Sequence, residues 1–148
     1  MAKVQPARVS KRSPRVKLEL DEALIALFVA AMNANLHVAP DEAARAHHLI
    51  WSTRHFRRKS GDTVGKLIQD MRALLQEGDT DAVMDGAARA IPARLRPATF
   101  AVLADLLLAD GRMDAQERKF LRTIGAKLQI KPETVRRVVD VVLLKNAL

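Results

Sequence analysis

Apolar positions recur every three or four residues along this chain, and no stretch alternates with the two-residue period of a strand. Leu20, Leu24, Leu27, Phe28 and Ala31 form the stripe of a first helix, amphipathic in pattern, with Asp21 placed to cap it. Pro40 at an N1 position, followed by Asp41 and Glu42, predicts a second helix running through Trp51. After the cluster RHFRRKSGD, Arg54 to Asp62, either Asp62 or Thr63 opens a third helix. Val64, Leu67, Ile68, Met71, Leu74 and Leu75 lie on one of its faces, and Gly78 stops it. A shorter fourth, from about Asp79 to Ile91, turns Met84, Ala87, Ala88 and Ile91 inward and ends at Pro92. Pro97 starts a fifth reaching Ala109, and Asp114 caps a sixth reaching about Leu128. Pro132 starts a seventh, with the stripe Val135, Val138, Val139, Val142 and Leu143. The fold class expected from this pattern is all-α, with about seven helices in a bundle-like domain.

Helices one to three and five to seven follow one plan: apolar helix, short acidic turn, basic amphipathic helix, polar turn, β-branched helix. DTVGKLIQ from Asp62 and ETVRRVVD from Glu133 match within it. The chain therefore reads as duplicated three-helix halves, joined by the fourth helix and packed pseudo-symmetrically.

Length and composition agree with this reading. The 148 residues suffice for one domain with a buried core, and 49% hydrophobic against 3% aromatic content means that aliphatic side chains and Ala must fill it. The absence of Cys excludes disulfides, thiolate metal sites and thiol nucleophiles, and fits a reducing compartment.

The net charge of +8 changes meaning once it is divided. Lys3, Arg8, Lys11, Arg12, Arg15 and Lys17 stand in residues 1–17 without an acid, so six of the eight charges belong to that segment and the remainder carries +2. Residues 1–17 read as a disordered basic arm, and 18–148 as the folded domain. Such an arm has the charge to bind nucleic acid, or lipid headgroups in peripheral membrane association; a solvated tail is the simpler account. The apolar run Ala23 to Met32 follows the arm as in a secretory signal, but Glu19, Asp21 and Glu22 intervene and its period is helical. No segment is long enough to span a bilayer, and a cytoplasmic location is expected.

The candidate chemistry lies in LADGRMDAQERKFL, Leu108 to Leu121, which sets Asp110, Asp114 and Glu117 at i, i+4 and i+7 around Gly111. Gly111 suits a left-handed helix stop, and Asp114 with Glu117 is a D-x-x-E capping box. Asp110 is left over by that account. Facing the next helix across the Gly, it would gather three carboxylates whose repulsion a cation relieves, and oxygen ligands favour Ca²⁺ or Mg²⁺. The spacing is not that of an EF-hand. An earlier twin, NANLHVAPDEAARA from Asn33, holds Asn35, Ala39 and Glu42 at the corresponding positions, so Glu42 alone would be a vestigial ligand.

ADGRMDAQE, Ala109 to Glu117, resembles the A-D-G-x-x-D-x-x-E signature of TerB-like domains. These are the helical domains of tellurite-resistance proteins, found also at the N-terminus of a membrane-bound DnaJ-type co-chaperone. The resemblance spans most of Leu18 to Leu148. It implies an all-helical fold with acidic metal-binding patches, serving ion or envelope stress through interaction with another protein. Carried over residue by residue, it implies one weak cation site at Asp110, Asp114 and Glu117.

Three further features compete for attention. FLRTIGAKLQIKPETVRRV, Phe120 to Val138, has the outline of a helix-turn-helix: Gly125 at the helix contact, Arg136 and Arg137 in reach of phosphates, and Gln129 where a turn Gly is usual. The alternative function is therefore nucleic-acid binding through the basic arm and residues 120–138. Arg54, Arg57, Arg58 and Lys59, with His55, form a basic patch for an anion or an acidic partner, or else a solvated loop. His37, His47, His48 and His55 lack the spacing of a zinc site, and Trp51 reads as core or groove lining. With no P-loop, nucleophile elbow or dinucleotide turn, the chain is not expected to be an enzyme.

Overall fold

A computed structural model describes residues 15–34 and 40–148. Among them are seven α-helices, a one-turn 3-10 helix at Ala93–Leu95, and no strand. The helices are α1 (Leu20–Ala34), α2 (Pro40–Ser52), α3 (Gly61–Glu77), α4 (Thr80–Ala90), α5 (Arg96–Leu107), α6 (Ala115–Lys127) and α7 (Pro132–Lys145). No helix of the described residues is long and apolar enough to cross a membrane.

The first helix departs from its amphipathic reading. Every residue from Ala23 to Ala31 is buried, so α1 is apolar all round and forms the axis of the molecule. It packs against α3, α4, α5 and α6. Alanines at 23, 26, 30 and 31 let neighbours approach closely, while Leu27 and Phe28 fill the space between them. The second axis is α5, which buries Phe100, Leu103, Ala104 and Leu107 and carries α6 and α7. Thus α1 with α3 and α5 with α7 are corresponding pairs in the two halves, and α4 lies against α1 between them.

Asp21 does not cap α1. It sits inside the first turn, where its carboxylate meets His55 and Lys59, the latter with Nζ at 2.8 Å. The end of the helix is tied instead by Glu22 Oε1, which accepts the Glu19 N–H at 2.9 Å. Burial pushes the Asp21 carboxyl up, but hydrogen bonds from Lys59 and His55 and their charge outweigh it and hold the group below its ordinary range. Ser60, rather than Asp62 or Thr63, caps α3, its Oγ accepting the Thr63 N–H at 3.2 Å.

Lys127 provides a tie of similar kind near the end of α6. Its Nζ reaches Asp81 at 2.8 Å and Asp85 at 2.6 Å on α4, joining the second half to the linking helix. Of the arm read over residues 1–17, positions 1–14 lie outside the described residues. Val16 is half-buried; its carbonyl accepts from Arg89 Nη2 at 3.2 Å and overlies Gly86, where a Cβ would approach within 2.7 Å.

Candidate cation site

The turn between α5 and α6 is built from both ends. The Leu108 N–H closes α5 on the Ala104 carbonyl, and the Gly111 N–H returns to the Leu108 carbonyl at 3.0 Å. Gly111 has φ +77°, and a Cβ there would lie 2.7 Å from the Asn146 carbonyl oxygen. Both the dihedral and the space require glycine. The end of α7 is held in place by Asn146 Nδ2, which donates to the Leu108 carbonyl at 2.9 Å and to Asp105 Oδ1 at 3.3 Å.

On either side of Gly111, each acid has a backbone role. Asp110 Oδ1 accepts the Arg112 N–H at 3.0 Å, and Asp114 Oδ1 accepts the Glu117 N–H at 2.7 Å as the cap of α6. The backbone N–H of Asp114 acts on the Glu117 carboxyl in the direction that lowers its pKa, the sense expected of a capping box. This is the bland half of the sequence expectation, and it holds.

Glu117 does more than cap. It is 5% exposed, and its Oε2 is buried without a hydrogen-bond partner. Burial, then the charge of Asp114, a hydrogen bond to the Asp114 side chain and the charge of Asp110 push its pKa up to about 7. The protonated acid can donate to Asp114, so a carboxyl in this place stays neutral to near neutral pH. All three acids are thus electrostatically coupled.

Oxygen donors of this kind suit a hard divalent cation, and the lone Oε2 of Glu117 has unused acceptor capacity. Yet among the described residues no group of three or more His, Asp or Glu side chains is arranged to hold a metal ion. Tertiary packing brings the acids into one field without bringing them onto one centre. In the twin turn, Asn35 and Ala39 lie outside the described residues, as does the side chain of Glu42 on α2.

The family model of tellurite resistance protein TerB matches residues 21–140, from the first turn of α1 into α7. The chain belongs to the TerB family. The match takes in both halves and the acidic turn, and the all-helical fold agrees with it. Comparisons with curated proteins and with solved structures gave no match.

The other predicted residues are dispersed in this TerB domain. Arg54, Arg57 and Arg58 are exposed, but Lys59 is turned to Asp21, and Phe56 between them is fully buried. Burial of such a ring is worth about 2 kcal/mol, so the segment is an anchor as well as a basic surface. Its phenylalanine was hidden in the sequence by the charges around it. Trp51 is half-buried, its Nε1–H donating to His47 Nδ1 at 2.9 Å; His48 is exposed, and His37 lies outside the described residues.

The helix-turn-helix outline has a definite basis in α6 and α7. The Ile130 N–H bonds the Gly125 carbonyl and the Gln129 N–H that of Ala126, both at 3.0 Å, with Gln129 at φ +56°. These bonds make a Schellman motif with Gln in the position glycine usually takes. A Cβ on Gly125 would stand 3.0 Å from Val135 Cγ2, so the helices touch there.

Proposed function

We propose that this TerB-family protein is a non-catalytic cytoplasmic module that binds one divalent cation, Ca²⁺ or Mg²⁺, at its α5–α6 turn and acts on another protein in ion or envelope stress. The observation that carries the reading is Glu117, buried beside two other acids with Oε2 unpartnered. A bound cation would compensate the charge that the fold now relieves by protonation. Asp110, Asp114 and Glu117 would hold it, with backbone carbonyls and water completing the shell. Asp110 separates this function from capping, because the cap of α6 does not use it.

Calcium and magnesium titration, followed by thermal unfolding, tests the reading. A cation that binds only the native state stabilises it by about 2.7 kcal/mol at a hundredfold excess over Kd. Wild type should gain melting temperature, and Asp110→Asn should gain much less. No shift with either ion overturns the site. A shift that survives in the Asp110→Asn, Asp114→Ala double variant places the metal elsewhere.

A further inference from the structure

The residues of α6 and α7 that face one another form two matching helical faces. Arg118, Leu121, Arg122 and Gly125 fall at i, i+3, i+4 and i+7; Pro132, Val135, Arg136 and Val139 repeat that spacing, and Asp140 follows. Between these faces lies an open groove of about 420 Å³. The helices touch at Gly125 and Val135 within it, and its floor is apolar through Leu121, Ile130 and Val139. Its rim carries Arg118 and Arg122 on one wall and Arg136 on the other, with Asp140 the single acid.

The three arginines are exposed, and among the described residues none of them is in an ion pair. Arg118 and Arg122 stand one helical turn apart, a like-charge spacing that weakens an isolated helix. A groove with an apolar floor and an unneutralised positive rim is complementary to a chain of the opposite pattern. The N-terminal segment of this protein, with six positive charges and no acid, has the wrong sign. A second copy offers the exposed row Val141, Leu144 and Leu148, but Arg137 and Lys145 beside that row outnumber Asp140, leaving it with the same net sign as the rim. Nucleic acid would satisfy the arginines and leave the floor unused.

We propose that the α6–α7 groove docks an acidic amphipathic segment of a partner protein. Its apolar side chains enter between Leu121 and Val139, and its carboxylates meet Arg118, Arg122 and Arg136. The groove reaches the acidic turn at Met113, but none of Asp110, Asp114 and Glu117 lines it, so its ligands differ from those of the cation site.

The test is an amide NMR titration of the full chain, in EDTA so that the cation reading plays no part. The probe is a synthetic helical peptide with leucines on one face and glutamates beside them; the same peptide with lysines and a DNA duplex are the comparisons. The glutamate peptide should shift the amides of Gly125, Ile130 and Val139. In the Arg122→Glu, Arg136→Glu variant its affinity should fall at least about tenfold and that of the lysine peptide should rise, as charge reversal across an interface requires. Both positions are exposed, so the variant should melt near wild type; Arg118→Glu gives a second, independent reversal. The proposal is overturned if the glutamate peptide fails to bind at about 1 mM, if charge reversal leaves its affinity unchanged, or if the duplex alone shifts these amides.

Discussion

The two turns that bound α6 solve the same problem with opposite chemistry. Both need a residue with positive φ: Gly111 at +77° before the helix and Gln129 at +56° after it. At the first, backbone of the chain terminus lies against the turn, so no side chain fits. At the second, the residue is exposed and its Oε1 accepts from Arg96 Nη1 at 3.1 Å, so a side chain is tolerated and used. The comparison shows that strain alone does not demand glycine; strain together with a close backbone does.

Gly111→Ala should produce the largest effect. The dihedral penalty and the clash with the Asn146 carbonyl add to about 4 kcal/mol of destabilisation by denaturant unfolding. A loss below about 1 kcal/mol would mean that the chain terminus yields freely, and the contrast between the turns would disappear.

Glu117→Gln should come next, and its sign depends on pH. The folded-state pKa of about 7 lies above the ordinary 4.5, so Glu117 binds its proton more tightly in the folded protein. Wild type is therefore undiminished below about pH 4.5 and loses stability as pH rises through 7. The glutamine variant should lack this loss, becoming more stable than wild type at pH 8 by on the order of 3 kcal/mol. Parallel pH profiles for the two proteins would show that Glu117 ionises without penalty.

Gln129→Gly should have the smallest effect, and in the opposite direction from Gly111→Ala. Relief of the left-handed backbone, partly offset by loss of the Arg96 contact and by chain entropy, should raise the melting temperature by no more than about 4 °C. A fall would mean that the Gln129 side chain contributes more than its dihedral costs.

These two turns also differ in how far they could be read in advance. The acidic turn was legible because capping is local: Gly111, Asp114 and Glu117 declare a helix stop and start within seven residues. The turn at Gln129 was visible only as a missing glycine, because its bonds to Gly125 and Ala126 are local but the residue in the left-handed position is not one that announces it. Asp21 shows the same limit, since an acid near a helix start suits a cap equally well until Lys59 and His55 arrive from 34 or more residues away. Phe56 and the all-round burial of α1 were hidden for a related reason: periodicity reports one buried face, whereas the number of neighbours is a tertiary fact.

Seven helices, their approximate ends, the doubled plan and membership of the TerB family were legible along the chain, because propensity, capping and hydrophobic period act over a few residues at a time. Tertiary structure alone decided which carboxylate lost its water. Burial of Glu117 beside Asp114 and Asp110, and the opposition of two arginine-bearing faces across the α6–α7 groove, arise only when the helices pack and exclude solvent together.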